Sequence, residues 1–135
     1  MPLITWTDEL SVGVRQCDEE HKQLVAMINR LHAAMLEGKG KDVVGPVLRG
    51  LVLYVAVHFR NEERLLQTYG YPSLPAHQAE HRRLTAQVAA EQERFEKGQV
   101  ALAVGLMNFL RDWLVKHIQG SDRLYGAYLN ERGVH

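Results

Sequence analysis

The chain has 135 residues, 46% of them hydrophobic and 24% charged, with 16 basic and 16 acidic side chains in balance. That is enough for one domain around one hydrophobic core. It offers no basic stripe for nucleic acid, no polybasic run for an anionic membrane and no uninterrupted apolar stretch approaching transmembrane length. The opening MPLITWTDEL lacks the cationic and apolar regions of a signal peptide, and the single cysteine, Cys17, cannot close an internal disulfide, so a reducing cytoplasm is the expected setting.

Behind an N-terminal arm, short Gly- and Pro-bearing clusters punctuate the chain: EGKGKD at 37–42, YGYPSLP at 69–75 and EKGQ at 96–99. They leave four segments of roughly 20–25 residues, each helix-sized. The segments are rich in Ala, Leu, Glu, Arg and Gln, and strand alternation is absent. Read at steps of three and four, segment one shows His21, Leu24, Ile28, Leu31 and Met35, and segment two shows Val47, Leu51, Tyr54, His58, Glu62 and Leu65. Segment three shows Leu74, His77, His81, Leu84, Val88 and Phe95, and segment four shows Leu102, Leu106, Leu110, Trp113 and His117. Connections this short predict an all-α fold, an antiparallel up-down-up-down four-helix bundle with an N-terminal arm and a short C-terminal helix, forming one domain over 1–135.

The polar residues on these stripes are in phase with the core. His21 lies near the start of helix one, His58 late in helix two, His77 and His81 at the start of helix three, and His117 at the end of helix four. Antiparallel order brings all five to one end of the bundle. A carboxylate at the Glu62 position, buried and unpaired, would cost several kcal/mol. Arg60 and Arg64 cannot neutralise it, because each lies about 200° around the helix. A cation is therefore expected, and imidazoles are its ligands.

The spacing suits that role. His58 and Glu62, and likewise His77 and His81, are four residues apart and share a helix face, about 6 Å apart along the axis. Asp122 follows His117 by five residues, and a regular helix would turn it about 140° away. It can join the site only if the helix loosens near Gly120 and Ser121, so a π-turn or local unwinding is predicted there. The candidate metal ligands are then His21, His58, Glu62, His77, His81, His117 and Asp122, too many for one ion. They suit two ions bridged by the carboxylates; with about six ligands per ion and a bridging oxide or hydroxide, one coordination position stays open. For any one of these histidines a satisfied core side chain is the plainer reading, and it is the convergence of all seven groups that outweighs it.

The order His…His-x3-Glu…His-x3-His…His-x4-Asp, carried on DEEHKQLVAMINRLH, HFRNEE, HQAEH and FLRDWLVKHIQGSD, resembles the hemerythrins, and especially their prokaryotic single-domain form. The resemblance spans essentially the whole chain. It implies two iron ions in a non-haem, oxo- or hydroxo-bridged centre that binds dioxygen reversibly. It further implies that His77, His81 and His117 hold a saturated iron, that His21 and His58 hold the iron with the open position, and that Glu62 and Asp122 bridge. Leu24, Phe59, Trp113, Leu114 and Ile118 match the family's oxygen pocket by position. Cys17 departs from the pattern, standing where an aliphatic residue is usual; a buried thiol packs as a small hydrophobe.

Among the remaining polar residues, Glu20 is a candidate partner for a ligand's second nitrogen. Tyr54 reads as a packed core tyrosine, and Glu63, Glu80 and Glu91 as solvated or salt-bridged. His32 and His135 fit no ligand slot. The competing function is a diiron redox enzyme of peroxidase, oxidase or nitric-oxide reductase type. Oxygen-activating diiron bundles use more carboxylates, whereas five neutral imidazoles favour the reduced, binding-competent metal. Reversible dioxygen binding by a non-enzyme is therefore the expected function, with dioxygen as the partner and neither nucleic acid nor membrane.

Overall fold

The computed structural model describes residues 2–38, 41–97 and 104–135. Four long helices follow a 3-10 turn at Asp8–Leu10: α1 (Arg15–Leu36), α2 (Lys41–Thr68), α3 (Leu74–Glu96) and α4 (Val104–His117). A π-helical turn, Ile118–Asp122, then leads without a break into α5 (Arg123–Glu131). The expected short C-terminal helix is thus the continuation of α4 past a bulge. Leu102 of the anticipated fourth stripe lies outside the described residues, as does the side chain of Leu106.

The helices assemble by their apolar stripes. α1 buries Leu24, Ile28 and Leu31, α2 buries Leu48, Leu51, Val55, Phe59 and Leu66, α3 buries Leu84 and Val88, and α4 buries Leu110, Trp113 and Leu114. Each large aliphatic side chain removed from water contributes about 1.5–3 kcal/mol to this packing. Leu51, His58 and Glu62 of the expected α2 stripe are buried, but the buried face of α2 is wider than that stripe. Val47, Tyr54 and Leu65 are only half-buried, while Leu48, Val55 and Leu66 lie deep, because α2 packs against both α1 and α3 and needs a wider apolar face.

That width has a second consequence. No uninterrupted apolar stretch approaches transmembrane length, yet Asp42–Thr68 is by length and mean composition apolar enough to cross a bilayer, with a mean hydropathy of 1.5 over its best window. Within the bundle this helix supplies the face that packs on both α1 and α3.

Turn chemistry sets the antiparallel reversal between α2 and α3. Gly70 adopts φ +64°, the Tyr71 N–H donates to the Leu66 carbonyl (3.0 Å) and the Gly70 N–H to the Gln67 carbonyl (3.1 Å). This is a Schellman closure, which favours a residue without Cβ at the left-handed position. Pro75 then occupies the first turn of α3, where its missing N–H costs nothing.

The N-terminal arm is tied to both ends of the chain. Asn29 clasps Ile4 through both backbone groups, donating to its carbonyl (2.8 Å) and accepting from its N–H (2.9 Å). Asp18 accepts from the Ser11 hydroxyl (2.6 Å) and the Val12 N–H (2.8 Å), and Asn130 donates to the Gly13 carbonyl (2.9 Å). Ile4, Leu10, Val12 and Val14 are thereby buried. The arm crosses α5 so closely that a Cβ on Gly126 would stand 2.0 Å from the Val12 carbonyl oxygen. Gly126→Ala should therefore destabilise the protein by about 1–3 kcal/mol, although alanine favours a helix. Urea denaturation checks this, and an unchanged or raised midpoint would show that the arm is not held there.

Candidate metal centre

The π turn is the local event that builds the site. The Arg123 N–H donates to the Ile118 carbonyl, a five-residue step in place of four. The extra residue rotates Asp122 back toward the interior, where it is fully buried beside His117. The loosening predicted from the His117–Asp122 spacing is present at the predicted residues.

All seven candidate ligands are buried, none more than 4% exposed. They come from five elements: His21 from α1, His58 and Glu62 from α2, His77 and His81 from α3, His117 from α4 and Asp122 from the π turn. The two carboxylates divide the imidazoles between them. Glu62 Oε1 lies 2.9 Å from His77 Nε2 and 3.0 Å from His81 Nε2, while its Oε2 lies 3.3 Å from the Nε2 atoms of both His21 and His58. Asp122 repeats the division, with Oδ1 3.1 Å from His77 Nε2 and His117 Nε2, and Oδ2 3.1 Å from His21 Nε2. The donor atoms form two overlapping clusters that could each hold an ion, one of Glu62, His77, His81, His117 and Asp122 and one of His21, His58 and Glu62.

Two features show that this donor set fits metal ions better than it satisfies itself. Both Asp122 oxygens are buried without a hydrogen bond, although ring nitrogens lie close by. The Nε2 atoms of His81 and His117 face each other at 3.2 Å, a separation that two lone pairs tolerate only with a proton or a cation between them. Charges follow the same logic. Burial opposes ionisation of Glu62, and hydrogen bonds from His21, His58, His77 and His81 overcome it, holding the carboxyl well below its ordinary value. Burial and the Glu62 charge oppose ionisation of Asp122, and the His117 charge with the neighbouring rings again prevails.

Outside this cluster, three glutamates each orient a histidine of the next helix. Glu20 of α1 accepts from His58 Nδ1 (2.7 Å), Glu63 of α2 from His81 Nδ1 (2.7 Å), and Glu80 of α3 from His117 Nδ1 (2.5 Å). Glu80 also accepts from the Ser121 hydroxyl (2.8 Å). Each bond turns Nε2 inward and fixes its tautomer. Glu20 was anticipated; Glu63 and Glu80 have a more specific task than the solvated or salt-bridged role read from sequence. Their signal was adjacency, since each of the three glutamates neighbours a candidate ligand of its own helix and so sits at the edge of the buried stripe. Glu91 does pair on the surface, with Arg94 (3.1 Å).

Tyr125, missed in the sequence, is fully buried and donates to Glu62 Oε2 (2.8 Å); extending the Asp122 stripe by three residues would have reached it. Tyr54 donates to the Glu20 carbonyl (2.9 Å), tethering the helix turn that carries His21. Cys17 is buried, and burial pushes its thiol up to about 12 against a hydrogen bond with Tyr125 that pulls the other way, leaving an unreactive sulfur. His32 is half-buried and His135 exposed, both apart from the cluster.

Leu24, Phe59, Trp113, Leu114 and Ile118 are all buried. Phe59 stacks on His81, with ring centroids 3.7 Å apart and planes within 2°, and meets Trp113 edge-on at 5.9 Å. It therefore leans toward the His77–His81–His117 side more than toward His58, from which it stands 5.7 Å away.

The comparisons with known proteins match this geometry. A family model described as the hemerythrin HHE cation binding domain covers residues 12–129. The chain belongs to the hemerythrin family. It is 38% identical over 131 residues to a bacteriohemerythrin of Methylococcus capsulatus (strain Bath), covering 96% of this chain and 99% of that protein. It is 34% identical over 135 residues to a bacteriohemerythrin of Stenotrophomonas maltophilia (strain R551-3), covering 97% and 87%. A solved wild-type hemerythrin superposes with a TM-score of 0.87 at 38% identity, covering 93% of this chain and 96% of that one. The cofactor of a hemerythrin is a non-haem diiron centre, and the buried donor set described above suits it.

For the side chains alone, burial would lower the histidine values, but the Asp122 and Glu62 carboxylates beside them raise His21 and His77 from 6.5 to about 9. The Asp122 charge, with the hydrogen bond that His117 donates to Glu80, likewise raises His117 to about 10. A histidine raised on folding stabilises the fold fully below pH 6.5 and loses that contribution as pH climbs through about 9–10. Metal must expel the same protons. Adding ferrous iron to metal-free protein at pH 7 should therefore acidify a weakly buffered solution, and the urea midpoint of the metal-free chain should fall between pH 7 and 10. A pH-stat titration with no proton release would contradict the assignment.

Proposed function

We propose that this chain binds dioxygen reversibly, for carriage, storage, delivery or sensing, at two irons held by the seven converging residues of a single domain spanning 1–135. His77, His81 and His117 would hold one iron, His21 and His58 the other, and Glu62 and Asp122 would serve both. The observation that carries this reading is the division of both carboxylates, each with one oxygen toward the first group of histidines and one toward the second. With three nitrogens on one side and two on the other, an ion beside His21 and His58 would have fewer protein ligands than its neighbour. The iron pair, when bound, supplies the open coordination position and the electrons that dioxygen needs.

The protein's own residues set the conditions. Glu20, Glu63 and Glu80 hold three imidazoles in register, with each Nε2 aimed at the position an ion would take. The buried Tyr125 hydroxyl donates to Glu62 Oε2, the oxygen facing His21 and His58, and so tempers the charge of the bridge on the side where the gas would bind. Leu24, Phe59, Trp113, Leu114 and Ile118 form the apolar pocket in this reading. An apolar lining excludes water and supplies no acid, which lets the gas leave unchanged. Hemerythrins are oxygen binders, and the imidazole-rich donor set supports that use over redox turnover.

The decisive experiment counts metal and follows the spectrum. Iron-loaded protein, reduced without air and then exposed to it, should carry two irons per chain and develop a visible charge-transfer band that vanishes when dioxygen is removed. One zinc per chain, or immediate and irreversible oxidation on first exposure, would sink the proposal. Leu114→Ala should open the pocket to water and speed autoxidation, by about tenfold if the mutation removes roughly 1.4 kcal/mol of the barrier. Autoxidation at the wild-type rate, measured by loss of the same band, would remove Leu114 from that role.

A further inference from the structure

Arg60 and Arg64, which the helix turn keeps away from Glu62, are not idle surface charges. Together with Arg82 of α3 they border a groove of about 640 Å³ between α2 and α3. That volume is within the usual range for small-molecule sites. Arg60 and Arg64 are four residues apart, so they stack along one edge of α2, and Arg82 faces them across the groove. Among the described residues none of the three has a carboxylate at ion-pair distance. Glu63 is the one carboxylate among the lining residues, and it is already engaged with His81 Nδ1 at 2.7 Å. The groove thus presents three unpaired guanidinium groups with little opposing charge.

Its apolar lining is of a different kind. Ala56, Ala86 and Ala89 keep the walls shallow, and Phe59 lies at the inner end beside His81. Small side chains on both helices leave a slot that a flat ring can enter. Guanidinium groups from two helices match a phosphate, whose oxygens accept several charge-assisted bonds at once. Gln67, Gln78 and Thr85 add neutral hydrogen-bonding groups to the lining.

We infer that this groove binds a flat aromatic monophosphate of flavin-nucleotide size, its phosphate held by Arg60, Arg64 and Arg82 and its ring laid between the alanine-bearing walls next to Phe59. Such an occupant would touch Glu63, the residue that orients His81, and so would sit one hydrogen bond away from the metal centre without entering it. This inference does not depend on what gas the centre binds.

Isothermal titration calorimetry of the iron-loaded chain tests it, with flavin mononucleotide as the probe and riboflavin as the same ring without its phosphate. The expected result is saturable binding of one flavin mononucleotide per chain, with riboflavin at least about tenfold weaker. Arg60→Ala and Arg82→Ala should each weaken flavin mononucleotide by about tenfold, the loss of one charge-assisted contact. Both residues are exposed, so the core is untouched by either change. Ala86→Phe, which fills the slot and leaves the arginines in place, should weaken both ligands alike. Absence of saturation at millimolar flavin mononucleotide, equal affinity for riboflavin, or wild-type binding by either the arginine variants or Ala86→Phe would each overturn the inference.

Discussion

Two carboxylates sit in the dry interior of this bundle, surrounded by five imidazoles, and much of the architecture answers to that fact. A buried carboxylate without compensation is expensive, and Glu62 and Asp122 are both inaccessible to water. What compensates them is arranged from every helix: ring nitrogens at about 3 Å from four of the five supporting elements, and the Tyr125 hydroxyl from α5. Such a cluster is a strong constraint on the fold. Any sliding of one helix along its neighbours would separate a carboxylate oxygen from its nitrogens, so the centre and the packing specify one another.

The outer glutamates extend this constraint around the bundle. Glu20, Glu63 and Glu80 each reach from one helix to a histidine of the next, making a chain of cross-links from α1 to α4 at a single level. Each is about a quarter exposed on its side chain, so these contacts join the dry interior to the surface. For Glu80 the balance is clear: the hydrogen bond and charge of His117 outweigh partial burial and lower its carboxyl to about 2. It therefore stays ionised, and His117 stays oriented, across the neutral range.

The arm and the C-terminal helix close the structure at the other side of the centre. Gly126 meets the Val12 carbonyl at a distance no side chain allows, and Asn29 and Asn130 hold the arm at either end. The π turn matters here too, because it sets the azimuth of α5 as well as that of Asp122. One inserted residue thus turns Asp122 inward, carries Tyr125 to Glu62 and presents Gly126 to the arm. The helix irregularity is the point where the metal site and the terminal packing meet.

Composition and periodicity sufficed for the bundle, because a 3.6-residue apolar repeat and three short turns permit little else. The convergence of the seven candidate ligands was legible for the same reason: polar groups in phase with a core stripe have to be explained, and antiparallel order places them at one level whatever the helix ends. Even the π turn was legible, since His117 and Asp122 cannot face the same way in a regular helix. Local pattern could not assign partners across helices. Glu63 and Glu80 looked like surface acids because a stripe-edge residue faces solvent or a neighbouring helix according to how the helices pack. The same limit hid Tyr125, the arm's grip on Gly126 and the meeting of Arg60, Arg64 and Arg82 in one groove. A single helix carries the angle of each side chain about its own axis; only the packed bundle decides what stands opposite.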